Sequence, residues 1–385
     1  MTADPSAADN VSLNLAIIGN CTISALVDMK ATIVWSCFPR FDGEAIFNRL
    51  VHEGEDASHF SIDMQDLSHT EQQYENNTAI LVTKLTDTHG QSMEIVDFCP
   101  RFPHFDRLHR PASIYRIVRP VSGTPRIRVR LKPSFDYGAA EADQTHGSNH
   151  IRFVGPTQSI RLTTDASLAF VREETWFVLE DTQHFIFGPD ESLTNSIEDT
   201  SRQFLRRTRD YWRNFSRYLA LPYEWQSAVI RAAITLKLHS FEETGAVIAA
   251  TTTSIPEAPH SSRNWDYRFC WLRDAYFVIH ALNRLGATTT MEGYLTYITN
   301  VVASSEDGYL QPLFSISLNS DLGEKELSHL TGYRGMGPVR IGNAAWEQVQ
   351  NDSYGAVILA ATQAFFDERL EMPATERLYA QLEKV

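Results

Sequence analysis

Trp225-Gln226-Ser227-Ala228-Val229-Ile230-Arg231-Ala232-Ala233-Ile234-Thr235-Leu236 is the stretch in which the chain changes period. Trp225, Val229, Ala232, Ala233 and Leu236 recur at i, i+4, i+7, i+8 and i+11, the spacing of one apolar helical stripe. From about Leu13 to Phe187 the chain instead alternates short β-rich runs with turn residues. Such runs are Ala31 to Trp35, Ala79 to Leu85, Met93 to Phe98, Ile114 to Val118, Ile127 to Leu131, Ile151 to Phe153, Ile160 to Thr163 and Trp176 to Leu179. Turn signals such as Asp87-Thr88-His89-Gly90 and Ser122-Gly123-Thr124-Pro125 separate them. Strands at this even spacing predict an antiparallel sandwich of two packed sheets. Beyond Pro222 the reading is all-α, with further helices expected at about Asp274 to Leu285, Thr290 to Ala303, Asp352 to Phe366 and Ala374 to Lys384. The fold class is therefore multi-domain, β then α: a sandwich over 11–195, a connecting helix within 196–222 whose arginines form a solvated face, and a helical domain over 223–385.

The 385 residues, 43% apolar and 21% charged, are ordinary for a globular protein with two cores. A formal net charge of −14 argues against a nucleic-acid partner, which requires a clustered basic face. Cys21, Cys37, Cys99 and Cys270 form no C-x-x-C pair and read as buried reduced thiols. Met1 to Asn10 lacks the basic start and apolar run of a secretory signal, and no run reaches the ~18 apolar residues that cross a bilayer. A cytoplasmic protein with no membrane partner is expected. No carboxylate cluster is spaced like a calcium loop, so neither metal nor other cofactor is expected.

The chemistry gathers in Arg263-Asn264-Trp265-Asp266-Tyr267-Arg268-Phe269-Cys270-Trp271-Leu272-Arg273-Asp274. Four aromatic rings, three arginines and two aspartates in twelve residues suit a sugar, whose C–H faces stack on rings and whose hydroxyls take paired donors and acceptors. The competing reading makes Asp274 a helix cap and Arg273 a surface cation; on spacing alone the two stand level. A second segment, His329 to Asn343, carries four glycines, a proline and the polar tips of His329, Tyr333, Arg334, Arg340 and Asn343; a structured loop without a ligand is an equal alternative. In Gln348 to Gly355 the simpler account is an Asp352 cap, and Thr251 to Glu257 either lends hydroxyls to a pocket or ends a helix hairpin.

These segments, in this order, resemble glycoside hydrolase family 15 as found in bacteria: glucoamylase-like enzymes, glucodextranases and trehalases. Ile18-Gly19-Asn20, Ala25-Leu26-Val27, Ile33-Val34-Trp35 and Pro39-Arg40-Phe41-Asp42 look like its opening motif, and Gly245 to Ala250 leading to Thr252 to Glu257 like its first barrel loop. The resemblance implies a sandwich packed on an (α/α)6 toroid barrel, with Arg273 and Asp274 on the terminal glucose, Trp265, Asp266 and Trp271 shaping its pocket, and His329, Tyr333, Arg334, Arg340 and Asn343 in a neighbouring loop. It implies inversion by two carboxyl groups roughly 6.5–9.5 Å apart, placed in glutamates expected beyond Val385, so that the barrel is incomplete in this chain. Glu347, Asp266 and Glu257 match neither. An incomplete barrel would expose apolar faces and favour self-association. The expected partner is an oligosaccharide or disaccharide α-glucoside, with terminal glucose release in glucoamylase fashion as the first reading, α,α-trehalase as its rival, and a sugar-binding fragment as the third.

Overall fold

Leu81–Asp87 buries every second side chain, Leu81, Thr83, Leu85 and Asp87, and so has one face for a core and one for the opposite side. That alternation builds a sandwich in the computed structural model, which describes residues 12–54, 57–305, 307–371 and 374–385. Met1 to Asn10, read above as lacking a leader, and the expected domain start at residue 11 lie outside the described residues.

The first sheet runs Ala16–Gly19, Ser24–Val27, Ile33–Phe38, His59–Met64, Arg126–Lys132 and Phe177–Val178, with Glu44–Phe47 paired beside Ile33–Phe38. The second runs Asp143–His146, His150–Val154, Ser159–Thr164, Gln183–Pro189, Ile114–Ser122, Ser92–Phe98, Leu81–Asp87 and Leu67–Tyr74. All the pairings are antiparallel. Between the sheets lies one core to which both contribute, including Ile33, Phe47, Phe60, Ile95, Val118, Phe185 and Phe187. Arg116 of the second sheet is fully buried there; its Nε and Nη2 hold Asp97 at 2.8 and 3.1 Å, Nη1 donates to Phe60 O at 2.8 Å, and Nη2 also reaches Ala31 O. The second sheet's two edges are polar, Leu67–Tyr74 and the exposed Asp143–His146, as edges that must not recruit another strand should be.

The helices are α1 (Leu168–Arg172), α2 (Ile197–Arg217), α3 (Gln226–Leu238), α4 (Leu272–Arg284), α5 (Thr288–Ser304), α6 (Asn351–Phe366) and α7 (Glu376–Leu382). The chain divides into two units, 1–214 with 329–336 and 215–328 with 337–385. Within the first, α2 is more than the solvated connector expected at 196–222. Phe204 and Leu205 pack on Ile80, Val96, Phe98 and Ile186 of the second sheet, Trp212 is fully buried, and Arg209 and Arg213 both bind Glu75 at 2.5 and 2.9 Å. The segment 329–336, expected inside the helical domain, also belongs to this unit.

In the second unit α4 packs against α3, α5 and α6. The buried stripe of α3 differs from the expected one: it is Ile230, Ala233, Ile234, Lys237 and Leu238, while Trp225 is 79% exposed in a left-handed turn just before the helix. A one-residue shift rotates a helix by about 100°, and the periodic alanines fitted either face. Lys237 is tolerated inside because its ammonium meets Thr290 Oγ1 at 2.9 Å and the Glu242 carboxylate. All four cysteines are buried free thiols. Among the described residues no helix is long and apolar enough to cross a membrane.

Candidate functional site

Three loops of the second unit are braced into one platform by hydrogen bonds between side chains and backbone. Arg340 N donates to Ser254 Oγ at 2.7 Å and Thr253 Oγ1 donates to Arg340 O at 2.5 Å. The Arg340 guanidinium lies over the Trp265 ring, 4.8 Å from its centroid, and its Nη1 donates to Ser262 O and Asn264 O at 3.1 and 3.0 Å. Asn264 Nδ2 reaches Pro338 O and Asn343 Nδ2 reaches Asp266 O, both at 3.0 Å. A planar donor fork suits this work because it fixes several carbonyls at once. Beneath the platform Asp266 is fully buried, held by Arg268 Nε and Nη2 at 2.9 and 2.7 Å and by Gly342 N at 3.3 Å.

The chain leaves this platform through Cys270–Trp271 and enters α4. Trp271 occupies the position before the first helical turn, so Asp274 is not the cap; it lies in that turn beside Arg273. Arg273 Nη2 donates to Asp274 Oδ2 at 3.0 Å and Nη1 to Asp352 Oδ2 at 2.9 Å. The three side chains are 42%, 42% and 50% exposed. Oδ1 of both acids is unengaged among the described residues. The hydrogen bond to Asp352 holds the guanidinium above its ordinary range, helped by the charge of Asp274 and opposed by partial burial. One cation between two anions, open to solvent, offers donors and acceptors side by side, the requirement of adjacent hydroxyls.

Asp352 was expected to cap α6. Instead Gln350 stands at the cap position and Asp352 lies in the first turn, aimed at Arg273. Its signal in the sequence was symmetry, an aspartate at the start of an apolar helix just as Asp274 stands at the start of α4. That Arg273 joins them follows only from the packing of α4 on α6.

Of the other candidates, Trp265 is half-buried under Arg340, and Trp271 is 6% exposed within a cluster of Phe269, Leu313 and Leu322. Asp266, Arg340 and Asn343 act inside the platform. His329, Tyr333 and Arg334 sit in the first unit, where His329 Nε2 meets Tyr137 O at 3.2 Å, Gly332 N donates to Val51 O at 2.9 Å, and Arg334 lies 5.2 Å from the Tyr333 ring centroid. The platform of the second unit is built without them. Of the carboxylates weighed for catalysis, Glu257 is bound by Arg263 at 2.7 Å and by Tyr267 Oη at 3.2 Å, which with burial pushes the tyrosine up to about 12, and Glu347 is exposed. Among the described residues no group of His, Cys, Asp and Glu is arranged to hold a metal ion.

Residues 224–382 match the model of glycosyl hydrolases family 15, and residues 7–175 match that of the trehalase-like N-terminal domain. A trehalase of Thermoplasma volcanium is 30% identical over 358 residues, covering 89% of this chain and 55% of that protein. A trehalase of Thermoplasma acidophilum is 31% identical over 350 residues, 87% of this chain and 58% of that protein. One of Mycobacterium tuberculosis is 28% identical over 373 residues, 89% and 54% respectively. The chain thus spans little more than half the length of the curated relatives it matches.

Proposed function

Since residues 224–382 form a glycosyl hydrolases family 15 domain behind a trehalase-like N-terminal domain, we propose that this protein belongs to a glycosidase that hydrolyses α,α-trehalose, and that Arg273, Asp274 and Asp352 grip adjacent hydroxyls of one of its glucose rings. Trehalose takes precedence over the glucoamylase reading because the relatives described above carry the name trehalase. The helices of the second unit are read as part of an (α/α)6 barrel.

The observation that carries the reading is the Arg273 fork held between two half-exposed carboxylates at the heads of α4 and α6. Trp265 is placed to present an apolar face, while Asp266, Arg340 and Asn343 position the loops. Hydrolysis by inversion asks for an acid at the glycosidic oxygen and a base on water across the ring.

Titration calorimetry of the full chain with trehalose, maltose and glucose tests the reading. Trehalose is expected to bind more tightly than maltose, and Arg273→Ala to weaken trehalose by about tenfold or more, as for a lost charge-assisted pair of hydrogen bonds. Unchanged trehalose affinity in a folded Arg273→Ala variant, or a preference for maltose, overturns it.

A further inference from the structure

A cavity of about 220 Å³ lies in the first unit, where the turn leading into α2 crosses the second sheet. One wall is aromatic: the His109 and Phe204 rings stand 5.1 Å apart and Phe204 and Tyr115 5.6 Å apart. The polar groups are set among them. Ser113 is 4% exposed, and its Oγ, like the buried Nε2 of His109, has no hydrogen-bond partner among the described residues. An unpaired buried polar atom costs free energy, and native structures satisfy most of them, so two on one cavity wall point to a ligand that supplies the missing bonds.

The remaining lining decides the chemistry of that ligand. Arg161 is nine-tenths buried and is fixed by Thr163 Oγ1 at 3.0 Å and Ser192 Oγ at 3.3 Å, with Asp190 Oδ1 3.7 Å away. Glu191 also lines the cavity, and after burial its charge is the cause that raises the Tyr115 phenol. Asp190 is itself bound by Arg152 at 2.6 Å, so the cavity wall carries one guanidinium, Arg161, and one carboxylate, Glu191, a balance that favours a neutral ligand over an anion. Burial holds His109 below its usual range, so near neutral pH its ring offers one donor and one acceptor rather than a charge. The volume falls short of the ~300–1,000 Å³ of sites for drug-sized ligands, which leaves room for a single ring.

We propose that this cavity is a second sugar site, taking one neutral pyranose ring stacked along His109, Phe204 and Tyr115 and hydrogen-bonded by Ser113, His109 and Arg161. It uses no residue of the Arg273 cluster and stands independently of the function proposed above.

The test follows D-glucose and trehalose binding to the full chain by saturation-transfer NMR in the Arg273→Ala background, where the first site is weakened and binding that depends on Ser113 and Arg161 reports the second. Glucose is expected to bind there still. Adding Ser113→Ala, which removes a single oxygen, or Arg161→Gln should weaken it about fivefold or more, the effect of one lost hydrogen bond, with circular dichroism and Tm confirming a folded protein. Absence of glucose binding in the Arg273→Ala background overturns the proposal, as does glucose binding indifferent to both substitutions. Sulfate binding in place of glucose overturns the choice of a neutral ring. Loss of the Ser113-dependent signal with retention of Arg273-dependent binding, or the reverse, separates failure of this site from failure of the first.

Discussion

Arg116 with Asp97 and Arg273 with Asp274 and Asp352 are made from the same side chains and do opposite things. The first pair is completely withdrawn from water, and its guanidinium is saturated by one carboxylate and two carbonyls that join the two sheets of the sandwich. Nothing is left for a ligand. The second group keeps two-fifths or more of each side chain exposed and, among the described residues, a carboxylate oxygen without a hydrogen bond on either side. Access to water separates the two, because burial makes full internal pairing obligatory while exposure makes each bond weak and exchangeable.

The largest effect should come from breaking the buried member. Asp97→Ala strands Arg116 in the core and is expected to cost about 3–5 kcal/mol, read as a lowered urea midpoint, while trehalose binding to the remaining folded protein stays intact. A loss below about 1 kcal/mol would mean that water reaches Arg116 and that the contrast between the two clusters is false.

Acid should discriminate next. His59, 1% exposed with Nδ1 2.8 Å from Ala57 O, is held at about 4 chiefly by burial. The unfolded chain, with histidine near 6.5, takes the proton first as the pH falls, so the stabilisation is complete above about pH 6.5 and drains away toward pH 4, roughly 3 kcal/mol over that window. His59→Gln should flatten that slope in a pH series of denaturation curves.

At the exposed cluster the balance reverses. Arg273→Lys keeps the charge but loses the fork; a Tm within about 2 °C of the parent, together with a several-fold loss of trehalose affinity, would sharpen the comparison. The smallest change is expected for Asp352→Asn, which retains an acceptor and should weaken trehalose only about two- to threefold by calorimetry. If Asp352→Asn instead lowered stability as much as Asp97→Ala, the cluster would be structural.

Much of this could be read from the chain. The eight strands named from alternation all lie at or within a few residues of observed strands, since a half-buried sheet writes its period into the sequence. Leu67–Tyr74 and Asp143–His146 escape that reading because edge strands are polar on both faces. Arg273 and Asp274 stood out by composition, but Asp352 did not, and Asp266 looked equally suited to a ligand until its burial under Arg268 was seen.

The sequence by itself determined where β gives way to α and which twelve residues, Arg263 to Asp274, concentrate aromatic rings, arginines and aspartates. Those features are local, set by side-chain period and residue type. Tertiary structure alone decided which face of α3 is buried, that α2 clasps the sheet, that 329–336 packs with the first unit, and which aspartate faces Arg273. Each of these depends on residues distant in the chain meeting in space, and burial, which no single position encodes, then fixes whether a charge is spent on the fold or remains available to a ligand.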